Sequence, residues 1–174
     1  CAGIQTKLKS NYEMVQIGTL FELQKGTLAS DDANEGGDYD FITASNEWKK
    51  HSTFSHDTEA IIYAVAAGGS LGRTHYVKGK FTASNLCLIL TPKKNSPYKI
   101  NLEFYNWYFA AIRKRIVSDL ADGTSKLTIA KPDLEKYYID YIPTEKQKEL
   151  VDKKVNKYDQ LKERLNEAEE DLKN

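Results

Sequence analysis

Residues 61–90, IIYAVAAGGSLGRTHYVKGKFTASNLCLIL, carry the strongest structural signal in this chain. They begin with an unbroken apolar run, Ile61 to Ala67, and end with a second, Leu86 to Leu90, each as long as a buried β-strand. Between the runs a glycine-rich turn leads to a strand at Thr74 to Val77, and Lys78-Gly79-Lys80 predicts the turn of a hairpin. We therefore expect buried β-structure in the first half of the chain.

Two segments before this stretch also favour β-structure. Residues 15–23, VQIGTLFEL, change from an alternating to a closer apolar spacing, which predicts a strand or a short helix that leads to a turn at Lys25-Gly26. The small, acidic and glycine-rich residues 27–38 predict a surface loop. Apolar and polar residues alternate again at Tyr39 to Ala44, so the first half is predicted to be mostly β.

Helical signals replace the strand pattern after residue 100. Asn101 is a favourable N-cap residue, and the apolar residues behind it recur at spacings of three and four on one face of a helix that ends at Asp122-Gly123. Pro132 favours the first turn of a short helix, and Tyr137 to Ile142 predicts a strand that Pro143 ends. The apolar face of the first helix consists of Leu102, Tyr105, Phe109, Ile112 and Ile116.

The last segment predicts one long helix. Thr144-Glu145-Lys146-Gln147 has the pattern of a capping box, and a helix over residues 144–172 would be about 43 Å long, more than a domain of this size needs. A narrow apolar seam repeats every seven residues, interrupted by Lys154, which favours a coiled coil with another molecule or repeat over a helix that lies on its own domain. We therefore divide the chain into a domain, residues 1–143, and a helix for dimerisation or spacing, residues 144–174. The predicted dimerisation residues are Val151, Tyr158, Leu161, Leu165, Ala168 and Leu172.

Length and composition limit the class of protein. A chain of 174 residues, 40% of them apolar, is most simply one domain with an appended element. Its apolar runs have the length of strands, so we expect no segment that crosses a membrane. Two cysteines are too few for a disulfide framework or a zinc site, which indicates a reducing, cytoplasmic compartment. The start at Cys1, without Met or a leader, predicts a fragment of a longer protein.

The net charge is zero, but the charges are segregated along the chain. Residues 1–72 contain 5 Lys and Arg against 10 Asp and Glu, whereas residues 73–115 contain 9 Lys and Arg and a single acid, Glu103. The second segment could form a basic face for a polyanion, or its side chains could be solvated on strand edges and a helix end. The basic residues in question are Arg73, Lys78, Lys80, Lys93, Lys94, Lys99, Arg113, Lys114 and Arg115.

The sequence offers no combination of residues that predicts catalysis. His51, His56 and His75 lack acidic or cysteine partners at the spacing of a metal site. The glycine-rich residues 68–72 lack the spacing of a phosphate-binding loop, and Asn106-Trp107-Tyr108-Phe109 lacks the two prolines of an amino-methyltransferase loop. We therefore expect no catalytic residue, no metal and no cofactor.

Several polar loops carry groups that proteins use to read nucleic acids. Asn can pair with adenine and Arg or Lys with guanine in the major groove, while Ser, Thr and backbone N–H groups hold phosphates. The same residue types are common in ordinary capped turns, so both interpretations stay open for each cluster. Arg73 is the favoured base reader, because the glycine-rich turn before it would let its side chain approach a groove. The candidate DNA-binding residues are Lys25, Thr27, Ser30, Asn46, Trp48, Lys49, Lys50, His51, Ser70, Arg73, Thr74, His75, Thr82, Ser84 and Asn85.

A series of short motifs runs through the chain in a defined order. Each motif is degenerate, but together they cover nearly the whole chain. The series consists of VQIGTLFELQKG at Val15 to Gly26, YDFITASN at Tyr39 to Asn46, the apolar strand and turn at Ile61 to Gly72, Ala83-Ser84-Asn85, Gly-Thr-Ser with a following Leu at Gly123 to Leu127, Ile142-Pro143, and Glu145 with Gln147 at the start of the long helix.

This series resembles one target-recognition half of the DNA-specificity subunit of type I restriction-modification systems. The resemblance implies an α+β fold, in which a twisted mixed β-sheet domain with short helices precedes a long C-terminal coiled-coil helix. It also implies that the chain is not an enzyme. Its partners would be double-stranded DNA, of which it reads one half of a bipartite target, the adenine-N6 methyltransferase subunit and, indirectly, the restriction subunit.

The resemblance leaves more than one arrangement open. A complete subunit of this family has two recognition domains separated by two antiparallel helices, so this chain is either a half-subunit that forms a homodimer or a piece of a longer chain. The alternatives are the specificity domain of a single-chain restriction-methyltransferase fusion and a coiled-coil adaptor. If Arg73 reads a base, Arg73→Ala should weaken binding to the cognate site by about 1–3 kcal/mol and binding to random DNA little.

Overall fold

The computed structural model describes residues 11–123 and 127–173, which form the predicted α+β fold. Cys1 and residues 124–126 of the Gly-Thr-Ser motif lie outside the described residues. The strands are β1 (Glu13–Gln16), β2 (Phe21–Lys25), β3 (Tyr39–Ile42), β4 (Lys49–His51), β5 (His56–Ala64), β6 (Thr74–Ala83), β7 (Cys87–Pro92) and β8 (Tyr138–Tyr141).

The helices lie on one face of the main sheet, and the longest of them ends the described chain. None of the described helices combines the length and the apolar composition that a membrane span requires. The helices are α1 (Ile17–Leu20), α2 (Leu102–Ala111), α3 (Arg113–Leu120), α4 (Lys131–Lys136) and α5 (Thr144–Lys173).

The main sheet is mixed and curved. Its strand order is β2-β7-β5-β6-β3-β4, with β3 parallel to β6 and every other neighbouring pair antiparallel, while β1 and β8 form a separate antiparallel pair. Leu28, just beyond β2, forms a parallel bridge with Ser84, just beyond β6, although β7 and β5 separate these strands in the sheet. The sheet therefore curls until the ends of β2 and β6 meet.

The two apolar runs are continuous because β5 and β7 are buried on both faces. Ile61 and Leu90 belong to the core that packs against the helices. Ile62 and Ile89, their neighbours in the chain, point into a second core formed inside the curved sheet. Strands covered on both faces need apolar residues at every position, which explains why the sequence shows runs here and not alternation.

The predicted turn at Lys78-Gly79-Lys80 is wrong. These residues lie within β6, which pairs with β5 without interruption from His56 to Tyr63. Gly79 has a φ of 105° and lies opposite Thr58, so glycine accommodates a left-handed backbone without ending the ladder. The turn of this hairpin is formed instead by residues 65–73.

The helix predicted after Asn101 is confirmed at its start but is divided in two. The Asn101 side chain accepts a hydrogen bond from the Phe104 N–H at 3.1 Å, as an N-cap does. The helix is interrupted at Ile112, whose φ of −101° and ψ of 10° separate α2 from α3. The apolar face still packs on the sheet, because Tyr105 and Phe109 are fully buried.

The first turn of α5 differs from the predicted capping box. Gln147 is fully buried, and its Oε1 accepts from Asn101 N–H at 2.7 Å while its Nε2 donates to the carbonyl oxygens of Lys99 (2.9 Å) and Ile142 (2.7 Å). The amide therefore joins α5 to two other segments of the domain instead of reaching back to Thr144. The Gln147 side chain therefore holds the first turn of α5 against the domain.

After its first two turns, α5 extends away from the domain. Val151 is 8% exposed, whereas every residue from 152 to 173 is exposed. Gln147 and Val151, which face the domain, lie on the same helical face as the apolar seam, because residues seven apart differ by only about 20° around a helix. Lys154, which interrupts the seam, lies with its Nζ 4.5 Å from the ring centroid of Trp107 on α2. We refer to residues 152–173 as the rod.

Candidate nucleic-acid interface

The polar loops predicted to carry contact residues gather at one end of the curved sheet. Lys25 at the end of β2 pairs with Leu88, and Ala64 at the end of β5 pairs with Cys87, so both strands end where β7 begins. The loops that follow β2 and β5 therefore emerge side by side. The N–H of Ser84, which follows β6, donates to Ile42 at the end of β3 and brings two more loops to the same place.

Hydrogen bonds connect the loop after β2 to its neighbours. The N–H of Asn85 donates to the Leu28 carbonyl oxygen at 2.8 Å, and the hydroxyl oxygens of Ser30 and Ser84 lie 3.4 Å apart. The Nζ of Lys49 donates to the Ser30 carbonyl oxygen at 3.0 Å. Residues 27–30 thus bridge the loop after β6 and the start of β4.

A second set of contacts joins the loop after β3 to the start of β6. The indole N–H of Trp48 donates to Nδ1 of His75 at 3.0 Å, and Nε2 of the same ring lies 2.8 Å from the Ser45 carbonyl oxygen. Nη1 of Arg73 donates to the Ala44 carbonyl oxygen at 3.1 Å. Four segments distant in the sequence therefore form one connected surface. This loop surface consists of residues 27–30, 43–51, 70–75 and 84–85.

The setting of His75 favours its uncharged form. Burial lowers the pKa of His75 below its usual range, and the positive charge of Arg73 lowers it further, while the hydrogen bond to the Ser45 carbonyl oxygen opposes both. A neutral imidazole has one N–H donor and one acceptor nitrogen, which suits its two partners here.

Most of the predicted contact residues lie on or beside the loop surface. Twelve of the fifteen have exposed or half-buried side chains on or beside this surface, and Thr74, which is also half-buried, is described below. The exposed residues are Lys25, Thr27, Asn46, Trp48, Lys49, Lys50 and Asn85, and the half-buried ones are Ser30, His51, Ser70, Arg73 and His75.

Three predicted contact residues have hydroxyls with partners inside the domain. Thr82 and Ser84 are buried, 2% and 0% exposed, and Ser84 Oγ accepts from the Leu86 N–H at 3.1 Å. Thr74 Oγ1 donates to the Asn106 carbonyl oxygen of α2 at 3.3 Å. Thr82 Oγ1 accepts from Ser55 Oγ at 3.3 Å. All three hydroxyls therefore have partners within the domain, so we do not include these side chains among the proposed contacts.

Arg73 has a different setting from the one expected. It is half-buried, and Nη1 also lies 3.3 Å from Ser70 Oγ in addition to its bond to Ala44. The guanidinium therefore holds two loops together. A fall in binding after Arg73→Ala would combine lost contacts with loosened loops, so exposed residues make cleaner tests.

The basic segment 73–115 does not form one face. Lys93 follows β7 at the opposite end of the sheet, where its N–H donates to the Leu20 carbonyl oxygen. Arg113 donates to the carbonyl oxygens of Leu71 and Gly69, which fastens α3 to the hairpin turn. The interpretation of this segment as a single polyanion-binding face is therefore wrong.

An exposed aromatic group beside the loop surface was not singled out from the sequence. Phe54 is 41% exposed, its ring centroid lies 4.9 Å from that of Tyr39, and Lys80 Nζ lies 5.1 Å from the Phe54 centroid. The signal in the sequence was a single Phe within the polar segment HSTFSHD.

Among residues 11–123 and 127–173, no three His, Cys, Asp or Glu side chains are grouped as a metal site would require.

The chain therefore combines a curved mixed sheet, connected loops at one end of it and a helix that projects beyond it. The chain belongs to the family described as the type I restriction modification DNA specificity domain, whose model matches residues 9–171. The resemblance found in the motifs is confirmed.

Individual relatives agree with this family. The chain is 25% identical over 150 residues to the type I restriction enzyme EcoDI specificity subunit of Escherichia coli, a match that covers 86% of this chain and 32% of the relative. It is similar in fold to the S subunit of a type I restriction-modification system from M. genitalium (TM-score 0.68, 21% identity, 89% of this chain and 41% of that one). The HsdS subunit from Thermoanaerobacter tengcongensis has a TM-score of 0.60 at 16% identity, over 89% and 39% of the two chains. The chain thus spans about a third of the length of the curated relative.

Proposed function

We propose that this chain reads one half of a bipartite double-stranded DNA target for a type I restriction-modification system. The main support for the proposal is the loop surface, in which hydrogen bonds connect four distant segments that carry exposed polar side chains. Membership of the specificity-domain family supports the choice of DNA as the ligand.

The exposed groups of the loop surface suit both base reading and phosphate binding. Asn46 and Asn85 present amides that can pair with the two major-groove atoms of adenine. Lys25 and Lys49 can neutralise phosphates and set the register of the protein on the duplex. Loops that are already connected lose less conformational entropy on binding, which favours affinity.

We further propose that the chain consists of a recognition unit, residues 1–143, and a helix, residues 144–174, that sets its distance from a second recognition unit. The rod exposes its apolar seam, with Leu161 49% and Leu165 64% exposed, and a second helix would cover it. That helix comes from a second copy of the chain or from a second repeat of a longer one.

The charge distribution along α5 supports an antiparallel pair. Residues 144–157 contain 5 Lys against 3 acidic residues, a net charge of +2, whereas residues 158–173 contain 3 Lys and Arg against 6 acidic residues, a net charge of −3. An antiparallel arrangement places the acidic half of each helix beside the basic half of the other. Two loop surfaces would then be held at a fixed separation.

The chemistry of the system is assigned to other subunits in this proposal. The chain itself is non-catalytic and docks the adenine-N6 methyltransferase subunit, and through it the restriction subunit. Its specificity-subunit relatives support this division of labour. The fusion alternative is not favoured by these relatives.

A selection from randomised duplexes, with the partner methyltransferase present, tests the reading function. We expect enrichment of a defined sequence and steep loss of binding as salt rises, because phosphate contacts release counterions. Failure to prefer any duplex over a scrambled one would refute the proposal. A chain that assembles through its helix but binds no DNA would instead fit the coiled-coil adaptor.

A further inference from the structure

His75 holds the loop between β3 and β4 through both of its ring nitrogens. Nδ1 lies 3.0 Å from Nε1 of Trp48, and Nε2 lies 2.8 Å from the carbonyl oxygen of Ser45. The two partners are three residues apart on the loop, while His75 belongs to β6 and is paired with Ile62 of β5. A side chain on a strand thereby fixes both ends of a short loop segment. We refer to these two hydrogen bonds of His75 as the clamp.

The chemistry of the partners determines the proton position on His75. An indole N–H can only donate and a carbonyl oxygen can only accept, so Nδ1 must be the acceptor and Nε2 must carry the hydrogen. Protonation would place a hydrogen on Nδ1, directed at the N–H of Trp48. The imidazolium ion therefore cannot keep both hydrogen bonds.

We propose that neutral His75 is a positioning residue that holds residues 43–48 in the conformation that reads DNA, so that sequence-selective binding is lost when His75 is protonated. The inference rests on the proposed function of the loop surface. It adds control of that surface by the protonation of one half-buried residue within it.

The surroundings of His75 favour the neutral form. Arg73, the charged residue that acts on the ring electrostatically, is itself bound to the Ala44 carbonyl oxygen at the base of the same loop. On β5 the residue opposite is the apolar Ile62, and on α2 the acid Glu103 acts on Tyr76. The loop carries one acid, Glu47, whose carbonyl oxygen accepts from Ser45 Oγ at 2.9 Å.

The direction of the pH dependence follows from these surroundings. Burial and Arg73 lower the pKa of His75, so the unfolded or open state binds a proton more readily than the clamped state. The clamp is therefore intact above the usual histidine range, and its stability falls as the pH drops below about 6.5, the ordinary pKa of histidine. Binding through phosphate contacts alone would not weaken in this direction, because acid adds positive charge to the protein.

Nitrogen NMR of His75 in the 174-residue chain tests the clamp without any DNA. We expect the Nε2–H tautomer at pH 7.5, and we expect Trp48→Phe to raise the pKa of His75 because the donor to Nδ1 is removed. A mixture of tautomers at pH 7.5, or an unchanged pKa in Trp48→Phe, would overturn the proposal.

Two substitutions at His75 separate positioning from simple filling of space. The amide of His75→Gln offers an acceptor and a donor about as far apart as the ring nitrogens and does not titrate, whereas His75→Phe offers neither. We expect His75→Phe to raise hydrogen exchange of the amides of residues 45–48 roughly tenfold or more, as the loss of two hydrogen bonds implies, and His75→Gln to keep them protected at pH 5.5 as at pH 7.5. Equal exchange in both variants would show that His75 only fills space.

The duplex enriched in the selection then provides the functional readout. In the chain that carries His75, the ratio of its affinity to that of a scrambled duplex should fall as the pH is lowered from 7.5 to 5.5. In His75→Gln the ratio should stay constant. A ratio that falls equally in both overturns the role of His75. If no duplex is enriched, the proposed reading function fails, while the NMR and exchange results still judge the clamp independently.

Discussion

Gly26 lies where the loop surface joins the sheet, and its lack of a side chain is required by its neighbours. Its N–H donates to the Cys87 carbonyl oxygen at 3.0 Å, and a Cβ atom would overlap the carbonyl oxygen of Ser84. The close approach of two backbones, and not an unusual backbone angle, therefore demands glycine here. The same approach lets Leu28 pair with Ser84 and brings the two loops together.

Gly26→Ala should lower the free energy of unfolding by about 2 kcal/mol or more, because backbone has to move to admit the methyl group. Urea denaturation measures the change. Gly69→Ala is the matched control, since a Cβ there meets no atom within 4 Å. Equal losses in the two variants would contradict the steric explanation.

Gln147 is the residue whose role differs most from its expected one. Its buried amide makes three hydrogen bonds, to Asn101, Lys99 and Ile142. Gln147→Leu keeps the approximate volume but removes all three hydrogen bonds, and among these backbone groups the Lys99 carbonyl oxygen keeps a second donor, the Tyr141 hydroxyl at 3.2 Å. We therefore expect a loss of about 2–4 kcal/mol in the free energy of unfolding. Lys148→Ala, at an exposed position of the same turn, should change it little. A loss in Gln147→Leu no larger than that in Lys148→Ala would assign the amide no part in anchoring α5.

Among the elements, α5 differs from the others because most of its length touches nothing in the described chain. Its first two turns are held by Gln147 and Val151, and Lys154 adds a contact with Trp107. An exposed helix as polar as α5 gains little stability from packing on its own domain, which agrees with the proposed partner helix along its seam. The seam lies on the side of α5 that faces the domain, so the partner should lie beside the domain as well.

Replacement of Leu161 and Leu165 by Gln should weaken self-association of the chain at least tenfold, because it removes two apolar contacts from the seam. Sedimentation equilibrium measures the effect. Asn156→Ala, on the opposite face of α5, should leave association unchanged. The unfolding of the domain should also be unaffected, since both leucines are exposed. Association that survives the double replacement would place the dimer contact elsewhere.

For the molecule as a whole, the two ends of the sheet have different proposed roles. Lys25 lies beside the loop surface, whereas Lys94 follows β7 at the other end. Both are exposed lysines, so the same substitution removes the same charge at each end. Their comparison separates contact with DNA from a general effect of net charge.

Lys25→Ala should weaken binding to all duplexes and reduce the salt slope of log K by about 1, as the loss of one phosphate contact does. Lys94→Ala should leave the slope unchanged. Fluorescence anisotropy of labelled duplexes over a salt series measures both. A reversed result would move the DNA to the opposite end of the sheet.

Local pattern was sufficient for much of the fold. Both apolar runs lie on strands, although β5 ends at Ala64 and leaves residues 65–67 in the turn, and the N-cap at Asn101 and the long helix from Thr144 are present. Continuous burial, capping and helical periodicity each depend on residues close together in the chain. The order of the short motifs along the chain also indicated the family, and the match of the family model to residues 9–171 confirms it.

What the sequence could not show depends on contacts between distant residues. The run Lys78-Gly79-Lys80 looks like a turn, and only pairing with β5 keeps it in a strand. Ser84 has the composition of a surface loop, yet the curl of the sheet buries it. His75 and Trp48 meet across 27 positions of the chain. Local residues set which elements form, whereas the curvature of the sheet sets which loops meet, because that curvature arises from the packing of strands that are far apart in sequence.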